Sequence, residues 1–359
     1  MDDTMDKGTA LVLGATGGIG GAVARRLLRG GWAVRALRRA GPGVAPGVAP
    51  HMTPQPAPAA GDIAWMQGDA MDAAAVARAA AGCDVIVHAV NPPGYSRWAQ
   101  LVLPMLRNAI AAAENEGALL VVPGSFYNFG PDAFPLIAEE APQHPLTRKG
   151  RVRVQADEAL RACAARGRAR VLTVRAGDYF GPGAGNNWFG QGLVKPGRPV
   201  TRILVPNDPG VGHQWAYLPD VAETMAALIA RRAGLAPFAA FHMAGHWDPD
   251  GATLARAIAD AVRRRGGALP ATRRFPWWAA MLAAPFDVTM REVLEMRYLW
   301  RTPLRLDNRK LVALLGAEPH TPLERAVECT LEGLGCLPPT APGAAAETAA
   351  PGRRPARGQ

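Results

Sequence analysis

Lysine, aromatic residues and cysteine are all scarce in this 359-residue chain. Only Lys7, Lys149, Lys195 and Lys310 are lysines, so 36 of the 40 basic residues are arginine; that bias suits a GC-rich genome and carries no functional weight. Cys83, Cys163, Cys329 and Cys336 include no Cys-x-x-Cys pair, which argues for reduced thiols. Met1 to Lys7 is acidic and polar, unlike a targeting segment. Together these features lead to the expectation of a cytoplasmic protein. No run of 18 apolar residues exists, so nothing is expected to span a membrane. The longest apolar stretch, Phe275 to Phe286, is interrupted by Pro276 and Pro285. Nor is there one long basic run or an internal repeat. The formal charge of +10 is spread over short clusters such as Arg25-Arg26, Arg38-Arg39 and Arg263 to Arg265. These read as solvated helix faces and argue against a nucleic-acid surface.

What is present is a large apolar fraction, 49% of residues. It can bury a sizeable core and excludes wholesale disorder. The length suits one large domain, or a main domain with a smaller one. Thr9 to Leu13 is a short apolar run ending in glycine, which reads as a buried parallel strand. Helical periodicity follows over Ile19 to Arg29, then a strand over Trp32 to Leu37. Residues 41–60 hold six prolines and no apolar period, as a surface insertion would. Strands are expected again at Ile63 to Gln67, Asp84 to Val90, Leu119 to Val122 and Arg170 to Arg175. Helices are expected from about Asp72, over Trp98 to Glu116, and over Arg151 to Ala165.

Strands separated by helices need crossover connections, so the sheet should be parallel and covered on both faces. The predicted fold class is α/β, a Rossmann-type doubly wound parallel sheet with a smaller C-terminal substrate domain. The dinucleotide-binding part is expected over 8–176, with 212–240 returning to the sheet. The substrate-binding part is expected over 177–211 and 241–335. Residues 338–359, rich in Pro, Ala, Gly and Arg, read as a disordered tail.

The strongest chemical signal is Gly14-Ala15-Thr16-Gly17-Gly18-Ile19-Gly20. Its glycines follow a strand and open a helix. A tight turn, close backbone approach to a pyrophosphate, and close helix–strand packing each require a missing side chain. The helix start then offers N–H groups to phosphates. An acid at the end of the second strand would accept from ribose hydroxyls, as NAD binding usually needs. Arg38 and Arg39 stand there instead, and a guanidinium can pair with a 2′-phosphate. NADP is therefore favoured, with NAD still open. Asp69 is placed to accept from the adenine amino group or to cap a loop.

GATGGIG, QGDAMD (67–72), HAVNPPG (88–94) and a serine loop after the fifth strand together resemble the extended short-chain dehydrogenase/reductases, in their NAD-dependent epimerase/dehydratase branch. The resemblance covers roughly residues 8 to 240, with weaker echoes to about 335. It extends through Val174 to Pro182 and His213 to Val221. It implies a small C-terminal domain closing over a small-molecule substrate, nicotinamide near Asn91 and Ser125, Ala89 among the cofactor-binding residues, and a homodimer through helices flanking the sheet. Family members carry Ser and then Tyr-x-x-x-Lys. Ser125 matches the serine, but Lys149 stands at the tyrosine position and Arg153 at the lysine position. A register shifted by two uses Thr147 and Arg151, and neither register holds a tyrosine. The chain is thus atypical.

A lysine beside other cations has its pKa lowered and can act as acid or base. Lys149 is one candidate for the proton, Tyr127 another, with Tyr179 and Tyr95 behind them; Arg153 would hold the cofactor. No metal site is expected. His242 and His246 are four apart and precede Asp248 and Asp250, but Phe241 to Gly245 reads as a strand entering a turn, where such residues do not converge. The Phe275 to Trp278 cluster reads as core, with a pocket wall, a dimer face or a membrane-surface patch as alternatives. Two functions follow: a hydride-transferring oxidoreductase or epimerase acting at a carbon bearing oxygen, or a sensor that binds NADPH without turnover.

Overall fold

The computed structural model describes residues 8–39, 62–92, 98–184 and 187–337. The proline-rich insertion at 41–60, Tyr95 and the 338–359 tail lie outside the described residues. Seven parallel strands form the main sheet: β1 (Thr9–Leu13), β2 (Ala33–Arg38), β3 (Ala64–Gln67), β4 (Val85–His88), β5 (Leu119–Gly124), β7 (Arg170–Arg175) and β11 (Phe238–His242). Their order is β11-β7-β5-β4-β1-β2-β3. The chain starts mid-sheet, winds one way to β3, then returns past β1 to β4 and onward. This is the doubly wound arrangement, with its switch point between β1 and β4.

Helices cover both faces. On one side lie α1 (Gly18–Arg29) and α5 (Leu218–Ala230), which bury Val23, Leu27, Val221, Met225 and Ile229 against the sheet. On the other lie α2 (Ala73–Ala80), α3 (Trp98–Glu116) and α4 (Arg148–Ala165), burying Val76, Leu106, Ile110 and Leu160. β1 and β4 are apolar nearly throughout because both faces are covered. Alanine at 79, 109 and 113 is fully buried, so these helices approach the sheet closely.

A second layer follows β7. β8 (Asp178–Phe180), β10 (His213–Tyr217) and β12 (His246–Asp248) form a three-stranded sheet. α6 (Thr253–Arg264) and α10 (Leu323–Gly333) pack with Phe180, Phe189, Trp215 and Trp300 in a separate aromatic core. The region after Ala252 is largely helical, with α7 (Trp277–Ala283), α8 (Val288–Glu295) and α9 (Arg309–Leu315). Two short strands interrupt it. β13 (Ala271–Arg274) pairs with β9 (Arg202–Val205), and β14 (Arg305–Leu306) pairs with β6 (Leu136–Ile137). Their partners are distant and their lengths short, so no local period announces them. In the Phe275 to Trp278 cluster, Trp277 is core and its Nε1 donates to the Pro206 carbonyl at 2.9 Å, while Trp278 is 66% exposed.

Candidate active site cleft

A cleft of about 1080 Å³ opens along the C-terminal ends of β1, β2, β4 and β5. Ligands of open α/β sheets bind at this edge, at the switch point. Gly14 leaves β1 with φ +89°, a conformation that disfavours any Cβ. A Cβ at Gly14 would stand 2.6 Å from the Ala89 carbonyl oxygen, so the turn passes against the end of β4. Thr16, Gly17, Gly18 and Ile19 line the cleft beside it. Gly20 does not line it. Its role is packing, since a Cβ there would meet the Gly14 carbonyl oxygen at 2.3 Å. Gly17 caps α1 without a side-chain hydrogen bond, and no acid lies in the first turn. The first N–H groups of α1 are therefore left for an anion. This backbone cradle, in which side chains would intrude, fits a dinucleotide pyrophosphate.

One end of the cleft is basic. Arg38, the last residue of β2, and Arg39 both line it and are solvent-exposed. The Arg38 guanidinium lies 5.8 Å from the centroid of the Trp65 ring. Asp69 also lines the cleft, and its carboxylate accepts from the Met71 N–H at 2.9 Å. It is thus a turn cap whose remaining lone pairs are still available.

The other end gathers Ala89, Asn91, Ser125, Tyr127 and Arg153. Trp98 Nε1 donates to Asn91 Oδ1 at 2.8 Å, and the Arg153 guanidinium stacks over the Trp98 ring at 4.9 Å. This indole fixes both polar groups on one wall. Ser125 caps a single 3-10 turn, Phe126–Asn128, with its Oγ accepting from the Tyr127 N–H at 3.4 Å. That turn places Tyr127 on the cleft beside the serine.

Lys149 is not brought to the cleft. It is 3% exposed, and its Nζ donates to the Glu292 carbonyl at 2.6 Å and pairs with the Glu292 carboxylate at 3.1 Å. Burial lowers its pKa, opposed by its bond to Glu292. The reason is the C-terminal half of α8: Glu292 and Glu295 also hold Arg148, so the first turn of α4 is clamped to α8. The shifted register fares no better. Thr147 is the N-cap of α4, accepting from Gly150 N–H at 2.9 Å, and Arg151 is exposed.

Three cleft residues escaped the sequence reading. His88, at the C-terminal end of β4, lines the cleft from a buried position. Burial, then the charge of Arg153, pushes its pKa down to about 4, so the imidazole is neutral at pH 7. The signal was its place at the end of a central parallel strand. Asp178 also lines the cleft, and its carboxylate accepts from Nε2 of the fully buried His213 at 2.8 Å, which stacks on Trp300 at 3.9 Å. Trp188 lines the cleft as well. Tyr179 donates to the Gly124 carbonyl, and burial pushes its pKa up, keeping the phenol protonated.

His242 and His246 separate as expected. His242 ends β11 in the main sheet, with Nδ1 3.0 Å from the Ile137 carbonyl, while His246 opens β12 in the small sheet. Among the described residues no helix is long and apolar enough to cross a membrane.

Several solved structures share the fold. A UDP-galactose 4-epimerase superposes with TM-score 0.63 at 19% identity, covering 91% of this chain and 98% of its own. The dTDP-glucose 4,6-dehydratase DesIV from Streptomyces venezuelae, solved with NAD bound, gives 0.65 at 18%, covering 90% and 96%. A UDP-glucose 4-epimerase from Bifidobacterium longum, in complex with NAD+ and UDP, gives 0.64 at 16%, covering 91% and 97%. No curated protein matches the sequence. The model of the family described as NAD dependent epimerase/dehydratase matches residues 10–240, well over half of the chain. On that match, this chain belongs to the NAD dependent epimerase/dehydratase family.

Proposed function

We propose that this protein is an NAD(P)-dependent oxidoreductase or epimerase acting at a carbon that bears oxygen, with NADP preferred. The observation that carries this reading is the cleft itself: an uncapped helix start and glycine turn in its middle, arginines at one end, and Ser125, Tyr127 and Arg153 at the other. The glycine turn would hold the pyrophosphate, Arg38 and Arg39 the 2′-phosphate, and Asn91 and Arg153 the nicotinamide riboside. When bound, the nicotinamide supplies hydride transfer. Ser125 would orient the substrate oxygen, and Tyr127 would give or take its proton. Asp178 and Trp188 line the same cleft and would contact the remainder of the substrate. Residues 8–176 would then serve the cofactor, and 177–211 with 241–335 the substrate. The similar structures suggest a sugar nucleotide as the substrate class.

Replacing Arg38 by Asp tests the cofactor assignment. A charge-assisted bond is worth about 1.5–3 kcal/mol, so NADPH affinity should fall roughly 10- to 150-fold while NADH affinity holds or rises. Unaltered NADPH binding in calorimetry would remove Arg38 from the site.

The proton assignment is tested with a panel of sugar nucleotides and simple carbonyl compounds, following NADPH absorbance. Tyr127→Phe should lower kcat about 10²- to 10⁴-fold with NADPH affinity unchanged. Lys149→Met should instead lower the unfolding free energy by about 1–3 kcal/mol, because partly buried carboxylates lose their partner. The opposite pattern would return the proton to Lys149. A second reading, a sensor that binds NADPH without turnover, draws on the same observation that Lys149 is locked against α8. Tight NADPH binding with no consumption across the panel would favour it.

A further inference from the structure

Three polar side chains outside the cleft meet where α5, β12 and the connection from α9 to α10 converge. Asp220 sits in the first turn of α5, His246 opens β12, and His320 belongs to the connection. One ligating atom from each lies within 4.8 Å of the other two. The two imidazole rings stand 4.5 Å apart, tilted by 45°. Asp220 and His246 are buried, and His320 is exposed.

The arrangement is held from its neighbours. Thr321 donates its backbone N–H to Asp220 at 2.8 Å and its hydroxyl at 2.6 Å. That double bond pins the connection to α5 and sets the preceding residue, His320, opposite His246. Each carboxylate oxygen keeps a lone pair beyond those two bonds. His246 is 7% exposed, and its buried Nε2 makes no hydrogen bond among the described residues. A buried imidazole nitrogen without a partner is costly, and the chain leaves this one beside a second imidazole and a carboxylate.

From this geometry we propose that Asp220, His246 and His320 form a binding site for a divalent transition-metal ion of the zinc type. Two imidazoles and one carboxylate match borderline ions such as Zn²⁺ or Co²⁺ better than Mg²⁺ or Ca²⁺, which prefer oxygen-only shells. Ligand bonds near 2.0–2.1 Å imply a tetrahedral edge of about 3.3 Å. The span therefore has to contract, and His320 can supply the motion because it is exposed. Its open side leaves the fourth position to solvent. The ion would tie the α9–α10 connection to α5, two residues beyond Leu218 of the cleft wall. This inference stands apart from the proposed reaction.

The test uses the untagged full chain after dialysis against a chelator. Titration with Zn²⁺ should show one equivalent bound and a raised Tm, and Co²⁺ should give the visible absorption of a tetrahedral complex. In His320→Ala, an exposed change that leaves the core alone, affinity should fall at least ~100-fold, with the circular dichroism unchanged. His246→Asn should behave alike. No stoichiometric binding, or binding of equal affinity in His320→Ala, overturns the site; the latter places the ion elsewhere, for instance on a cysteine.

Discussion

Asp157→Ala should destabilise the protein by about 3–5 kcal/mol, the largest loss expected from any single change near the cleft. Arg175 is 1% exposed, and its Nη2 donates to Asp157 Oδ1 at 2.5 Å. Arg161 and Gln143 donate to the other carboxylate oxygen at 3.1 and 3.0 Å. Removing the carboxylate leaves a guanidinium in the interior with its main counter-charge gone, and Arg175 already has its pKa lowered by burial. The effect should reach the cleft. Gln143 also accepts from Asn128 at 2.9 Å, and Asn128 ends the turn that carries Ser125 and Tyr127. Urea unfolding measures the first effect, and KM the second. A cycle with Arg175→Met sharpens the argument: the double variant should be more stable than Asp157→Ala, because no lone charge then stays buried. A loss under about 1 kcal/mol in Asp157→Ala would mean that water or a rearranged neighbour solvates Arg175.

Gly14→Ala should weaken NADPH binding by roughly 100-fold or more. The residue sits at φ +89°, where a side chain adds about 1–2 kcal/mol of strain. The new methyl would also stand 2.6 Å from the Ala89 carbonyl oxygen and 2.8 Å from its carbon. Neither is the far end of a flexible chain, so the end of β4 has to move. Ala89 and Asn91 would move with it, and stability should fall as well. Gly17→Ala is the informative companion. Its φ is −89°, and an added Cβ would be 3.3 Å from the Gly14 carbonyl oxygen, so the fold should tolerate it. Yet Gly17 lines the cleft, and the methyl would occupy the space proposed for the diphosphate. Binding should fall in both variants, and Tm chiefly in the first. Wild-type affinity in Gly17→Ala would show that the turn does not approach the coenzyme.

Much of the cofactor half was readable along the chain, because its signals are short-range. The apolar run of β1, the glycines after it and the periodicity of α1 lie within some twenty consecutive residues. Their φ/ψ requirements are local, so they point the same way before any packing is known. The same holds for Arg38, whose position follows from where β2 ends. Family membership rests on a much longer stretch that begins with them, residues 10–240.

The proton relay was not readable in this way. Lys149 looked catalytic by its place in a motif, but its partner is Glu292, 143 residues away. No periodicity encodes which helix packs on the start of α4. Asp178 with His213, and Asp220 with His246 and His320, are likewise pairings made by different sheets and loops. The β13 and β14 strands are defined by partners, not by their own residues. Order along the chain thus prescribed the sheet, the turn and the coenzyme end. Packing across distant segments chose which charges face the cleft and which neutralise one another in the interior, because Coulomb and desolvation energies depend on distance in space, not on separation in sequence.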